Sequence, residues 1–271
     1  MNKQGKGKIE YLDYTWNPIT GCKHSCKEIY CYAAKIAHRF EPHEFELMDI
    51  SDCKPIMPIS KNNLGCYECD NRVILTNFKG EKIRTTPYPM GFKPTFHRYR
   101  LDEPANIKKP SIIGVVYMGD LFGDWVPDEW IEEVFKACEA EPQHTYMFLT
   151  KNYLKASNFR YPDNWWIGRT ITNKEDSGKL CNGDPWNKDG IHRANQFLSI
   201  EPLLGDVEYL KYYLYSFKWV IIGQQTNPNK PPKPEWVQSI IDQCKASGVP
   251  VFVKKPLYQQ FPIQEWPEGL T

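Results

Sequence analysis

From residue 111 onward the chain alternates short apolar runs with stretches whose apolar residues recur at helical spacing. SIIGVVYMGD (111–120) predicts a buried strand ending at Gly119 and Asp120. VPDEWIEEVFKACEAEP (126–142) predicts a helix, with Pro127 and Asp128 at its start and Trp130, Val134 and Cys138 on one face. TYMFLTK (145–151) is the next expected strand, followed by a loop or short helix around YLKASNFRYP (153–162). WWIGRTITN (165–173), NQFLSIEPLL (195–204) and KWVIIGQQ (218–225) are apolar runs with polar C-terminal ends. PEWVQSIIDQCKASG (234–248) reads as a helix with Pro234 in its first turn and Gly248 as its stop, before a last strand, VPVFVKK (249–255). Upstream, TWNPIT (15–20) predicts the first strand, CYAAKIAHRF (31–40) the first helix and FKPTFHRYRL (92–101) the second strand.

Near-continuous apolar strands joined by helical crossovers indicate a parallel sheet covered by helices. Six or more such units favour a (β/α) barrel, full or partial, as one domain over residues 1–271. Residues 41–92, rich in Pro, Asn, Cys and charge, interrupt the pattern and read as an insertion in that barrel, with a small hairpin of their own in RVILTNFKGEKIRTT (72–86). The tail after Lys255, with Pro256, Pro262 and Pro267, reads as an irregular wrap.

Composition narrows the function classes. Lys and Arg total 34 against 33 Asp and Glu, a net charge of +1, so no general affinity for polyanions follows and a nucleic-acid role needs a local patch. Trp165-Trp166, Trp186 and the run His97-Arg98-Tyr99-Arg100 mix aromatic and cationic groups as such a patch does, although core packing and a solvated strand end explain them equally. The N-terminus has no apolar core of the signal-peptide kind, and no apolar run approaches the roughly 18 residues of a membrane helix. A cytoplasmic protein without a membrane partner is expected. Nine cysteines, an odd number, then point to metal rather than to a disulfide framework.

In a (β/α) barrel the working residues stand at the C-terminal ends of the strands. That rule selects Cys22, Cys26 and Cys31, then Gly119 and Asp120, Thr150 and Lys151, Arg169, Thr170 and Asn173, Glu201, and Gln224 and Gln225. Three cysteines on one loop leave a metal with an open position, as in a 4Fe-4S cluster with one iron free for substrate or cofactor. His24, inside the same loop, keeps a zinc site open as the alternative. In the insertion, Cys66 and Cys69 with Cys53, and His43 or His97 as a fourth ligand, read as a second site for zinc or an auxiliary iron-sulfur cluster, against unligated thiols. Cys138, Cys181 and Cys244 read as ordinary buried or loop cysteines. The loop at 174–193 reads as a lid or a surface turn.

A three-cysteine loop after the first strand, with an aromatic residue before its last cysteine (Tyr30-Cys31-Tyr32), resembles the radical S-adenosylmethionine superfamily. More closely, TWNPITGCKHSC, YCYAAKIAHRF, FKPTFHRYRLDEP, MGDLFGDWVPDEWIEEVF, HTYMFLTKN and FLSIEPLLG resemble the phage-associated three-Cys-motif, radical-SAM-like family. The spacing here is C-x3-C-x4-C, a departure from the superfamily's CxxxCxxC.

The resemblance implies an enzyme in which Cys22, Cys26 and Cys31 hold a 4Fe-4S cluster whose fourth iron binds S-adenosylmethionine. It implies that Tyr30 lies against adenine, that Gly119 and Asp120 meet the methionine amino group, that Lys151 meets its carboxylate, and that Glu201 contacts ribose or substrate. Residue chemistry alone leaves Asp120 as a helix cap and Lys151 as solvated. The implied reaction takes one electron from an electron donor, cleaves the sulfonium and abstracts hydrogen, with a nucleic acid or modified nucleotide as the substrate class. The alternative is a non-catalytic zinc- or nucleic-acid-binding phage protein on a barrel scaffold.

Overall fold

A computed structural model describes residues 1–5, 8–28, 31–43, 46–56, 65–181, 195–226 and 228–270. The chain folds as two compact units, residues 1–144 and 145–271.

The first unit runs β1 (Asn2–Lys3), β2 (Tyr14–Trp16), β3 (Ile19–Thr20), α1 (Tyr32–His38), β4 (Leu47–Met48), β5 (Cys53–Pro55) and β6 (Tyr67–Cys69). It continues with β7 (Ile74–Thr76), β8 (Lys82–Thr85), β9 (Thr95–His97), β10 (Ile112–Val115) and α2 (Asp128–Glu139). Strands β2 and β10 pair in parallel, with β1 antiparallel on the other side of β2. Helix α2 buries Trp130, Ile131, Val134, Phe135 and Cys138, the face its spacing predicts, and each large apolar side chain so covered contributes about 1.5–3 kcal/mol. Asp128 and Glu129 in its first turn complement the helix dipole.

FKPTFHRYRL supplies a strand, but in a different sheet from the one expected. Strand β9 lies between β3 and β6 in a four-stranded sheet ordered β3-β9-β6-β5. All three of its residues are buried, as a central strand requires, and the chain then turns at once into a short 3₁₀ turn, Arg98–Arg100. Of the basic run only His97 is buried; Arg98, Tyr99 and Arg100 are half-exposed, with both guanidiniums engaged within the protein. His97 is fully buried and meets the Thr20 hydroxyl at 2.8 Å, Arg98 pairs with Glu68 and Glu133, and Arg100 donates to the carbonyls of Asn17 and Pro87. Burial holds the His97 imidazole well below the usual histidine range.

The inserted stretch builds β4 to β8, and β7 and β8 form the predicted hairpin around Asn77–Gly80, with a register shift at Leu75 and Thr76. Its ends are fastened by Arg84. The guanidinium donates to both Glu46 oxygens, at 2.8 and 2.7 Å, and to the carbonyls of Phe40 and Glu41.

The second unit runs β11 (Thr145–Thr150), α3 (Tyr153–Ala156), β12 (Trp166–Ile171), α4 (Lys174–Gly178), β13 (Asn195–Ile200) and β14 (Trp219–Ile222). After a small hairpin of β15 (Gln225–Thr226) and β16 (Asn229–Lys230) come α5 (Pro234–Ser247) and β17 (Val251–Val253). The pairings β11-β12, β12-β13, β13-β14 and β14-β17 are all parallel. One face of this sheet, through Leu198, Ile200, Val220, Ile222, Val251 and Val253, packs with Val237, Ile240, Ile241 and Cys244 of α5. Burial pushes the Cys244 thiol up to about 12 and the Cys138 thiol well above its ordinary value, so both are inert packing groups. Trp165 and Trp166 are core residues, 1% and 2% exposed, and offer nothing to nucleic acid; Trp186 lies outside the described residues. The α/β class with parallel strand pairing is as expected, and the described pairings close no barrel.

The Arg84 guanidinium and the His43 main chain hold the Glu46 carboxyl down at about 2, against 4.5 ordinarily. Its contribution to stability is therefore complete above pH 4.5 and lost as the pH falls through about 2. Glu46→Gln is expected to lower the urea midpoint at neutral pH, with the difference from wild type vanishing at the acid end; urea titrations across that range check it.

Candidate functional site

Beyond the parallel pair of β2 and β10 the two segments meet again at an isolated parallel bridge, Gly21 with Gly119. Gly21 N–H donates to the Met118 carbonyl at 2.9 Å, and the next residue, Cys22, donates to the Phe92 carbonyl at 3.2 Å. A Cβ on Gly119 would stand 2.7 Å from the Gly21 carbonyl oxygen, and one on Gly21, at φ +83°, would stand 2.3 Å from the Lys93 carbonyl oxygen. Only glycine lets the two main chains meet here. The close approach the sequence reading assigned to a cofactor at Gly119 is thus made by the cysteine loop itself.

From this junction Cys22 is buried, while Cys26 and Cys31 are partly exposed; none of the three is in a disulfide. Cys26 sits in a 3₁₀ turn, Ser25–Glu28, and the Cys26 carbonyl accepts from Cys31 N–H at 3.2 Å. The longer second gap is taken up by that turn and closed by that bond. Cys31 is the N-cap of α1 and packs with Ala33, Ala37, Tyr88 and Met118. Tyr30 lies outside the described residues.

Asp120 faces the same loop. It is 3% exposed; one carboxylate oxygen accepts from Phe122 N–H at 3.0 Å and the other meets His24 Nε2 at 2.9 Å. The His24 ring also stands edge-on to Trp125 at 4.9 Å, and its main-chain N–H donates to Cys22 Sγ at 3.4 Å. Asp120 therefore fixes a histidine inside the cysteine loop, a role that sequence reasoning missed because the two are 96 positions apart. Among the described residues no three His, Cys, Asp or Glu side chains are grouped around one ion position. The donor set suits a cluster, in which each thiolate meets its own iron, provided the loop adjusts.

The insertion cysteines take another use from the one expected. Cys53 and Cys69 lie directly opposite each other on antiparallel β5 and β6 and are joined as a disulfide, so neither offers a thiolate. Cys66 is buried, with Sγ against the Trp125 carbonyl at 3.5 Å. Burial pushes its thiol up, and the Lys23 ammonium from the cysteine loop pulls it partly back. A shared metal at Cys53, Cys66 and Cys69 is not what this arrangement holds, and His97, one of the two fourth ligands considered beside His43, is hydrogen-bonded to Thr20.

Lys151 and Glu201 belong to the second unit. Its register aligns Thr170, Ser199, Ile221 and Phe252 in one row across the sheet. Lys151, just after β11, falls on that row, and Glu201, Gly223 and Lys254 fall two positions further along, on the same face. The Lys254 ammonium donates to both Glu201 oxygens, at 2.5 and 2.6 Å. A Cβ on Gly223 would lie 2.7 Å from Glu201 Cδ, so glycine between the two strands is what lets the pair form. Lys254 was legible as another polar strand end, but nothing in the sequence paired it with Glu201. The Ser199 hydroxyl, fully buried two residues before Glu201, has no hydrogen-bond partner among the described residues.

Arg169 points to the opposite face, its guanidinium over the Tyr153 ring at 4.5 Å and the Phe217 ring at 5.6 Å. Asn173 caps α4, and Gln224 and Gln225 are buried.

Gly119→Ala is expected to lower the unfolding free energy by roughly 1–3 kcal/mol and to speed alkylation of Cys22, which is 8% exposed. Chemical denaturation and timed thiol labelling under native conditions check the two halves separately.

No curated protein and no solved structure matches the chain. No described helix is long and apolar enough to cross a membrane. One family model matches residues 51–260, a span that holds Gly119, Asp120, Lys151 and Glu201 and begins after the cysteine loop. The chain therefore belongs to the family described as "Protein of unknown function (DUF5131)".

Proposed function

We propose that this protein is a cytoplasmic radical S-adenosylmethionine enzyme, on a partial (β/α) barrel, acting on a nucleic acid or modified nucleotide. The observation that carries the reading is the loop of Cys22, Cys26 and Cys31: three thiols outside any disulfide, hung at the C-terminal end of a parallel strand pair through Gly21 and Gly119. In this reading the three thiolates would hold a 4Fe-4S cluster, which would supply the electron, taken from an electron donor, that cleaves S-adenosylmethionine. Gly119 acts by seating the loop. Asp120, with both oxygens engaged, is a positioning residue for His24 and the loop rather than a ligand of the methionine ammonium. Lys151 and Glu201 are the proposed contacts for the methionine carboxylate and for ribose or substrate. Lys254 positions Glu201 through its ion pair, and the Ser199 hydroxyl beneath supports a polar occupant at that end of the sheet.

A zinc protein is the second reading. It draws on His24 in the same loop, held by a carboxylate as metal-bound histidines commonly are.

Anaerobic reconstitution with iron and sulfide separates the two. Brown absorbance and 5'-deoxyadenosine formation from S-adenosylmethionine under dithionite are expected, both lost in the C22A/C26A/C31A variant. Colourless protein carrying one zinc on those residues would falsify the cluster.

A further inference from the structure

Residues 209–217 form two successive 3₁₀ turns, Leu210–Tyr212 and Leu214–Ser216, with main-chain bonds from Tyr212 to Tyr209, Tyr213 to Leu210, Ser216 to Tyr213 and Phe217 to Leu214. A three-residue period brings side chains at i and i+3 over one another. Leu210, Leu214 and Phe217 are driven into the core beside α5. Tyr209, Tyr212 and Tyr215 are left outside, 52%, 59% and 74% exposed. Exposing three tyrosines in one short segment forfeits burial that the fold obtains elsewhere from nearly every aromatic of the second unit.

Two of the rings make ordered contacts. Tyr209 and Tyr212 stack at 6.3 Å between centroids with planes 29° apart. The Lys174 ammonium lies 5.4 Å from the centre of the Tyr209 ring, kept there by Glu208 at 2.8 Å, and the Lys211 ammonium lies 5.2 Å from that of Tyr212. Gln243 of α5 pins the segment from beneath, accepting from Lys211 N–H at 3.0 Å and donating to the Val207 carbonyl at 3.1 Å.

We infer that Tyr209, Tyr212 and Tyr215 form a stacking platform for the bases of a single-stranded nucleic acid, with Lys211 placed for its phosphates. Rings in series with cations beside them are what such strands bind, because every base has a stackable face and every linkage a charge. The inference deepens the nucleic-acid part of the function proposed above and is independent of the cluster.

Fluorescence anisotropy with a labelled oligo(dT) of about 12 nucleotides, inside the roughly 4–16 that one single-strand platform covers, tests it. Wild-type protein is expected to bind, more weakly as salt rises. Y209A/Y212A/Y215A is expected to lose about tenfold or more in affinity, as removal of stacked rings does. Y209F/Y212F/Y215F keeps the ring faces and should bind as wild type, which, with an unchanged thermal midpoint, separates lost stacking from lost folding. K211Q should lower the salt slope by about one. No wild-type binding at low salt, equal affinity in the alanine variant, or equal affinity for a duplex of the same length would each overturn the platform; the second outcome hands the face to a protein partner. C22A/C26A/C31A should bind the oligonucleotide normally, so failure of the cluster reading and failure of the platform are told apart.

Discussion

Two main chains touch at Gly21 and Gly119, and the first unit's chemistry depends on that contact. A parallel strand pair ordinarily ends in diverging loops. Here the two segments meet again beyond Trp16 and Val115 at an isolated parallel bridge, so the cysteine loop starts from a fixed point. The contact is possible because Gly119 has no Cβ to strike the Gly21 carbonyl, while Gly21 needs its own bareness against the Lys93 carbonyl. From the same junction follow the burial of Cys22, the reach of His24 to Asp120 and the packing of Cys31 and α1 on Met118.

The second unit solves a related problem with the same device. Its strand ends bring a carboxylate and an ammonium, Glu201 and Lys254, onto flanking strands, and an absent side chain at Gly223 lets them meet. Both arrangements put polar groups at the C-terminal end of parallel strands. There the main chain stops pairing and side chains of several strands converge, which is why such ends collect working residues.

The insertion makes its own order by other means. Its strands are short, and its exposed face carries Leu47, Ile74 and Ile83, so burial alone holds it weakly. Arg84 on Glu46, Arg98 between Glu68 and Glu133, and the Cys53–Cys69 bond tie it across its sheets. The guanidiniums of Arg98 and Arg100, which the linear sequence offers as a basic patch, are engaged in this fastening.

The alternation of apolar runs and helical spacing was enough to place the strands and helices from residue 111 to 255 and the hairpin at 72–86, because period and punctuation are local properties. The cysteine loop and the polar strand ends at Asp120, Lys151 and Glu201 were legible for the same reason. What tertiary structure alone decided is partnership: Asp120 with His24, Glu201 with Lys254, Cys53 with Cys69, β9 with β3 and β6, and Tyr209, Tyr212 and Tyr215 facing outward while His97 and Trp166 turn in. Each depends on which distant segments share a sheet row or a face. That is set by register and packing over tens of residues, which residue type and spacing along one chain do not encode.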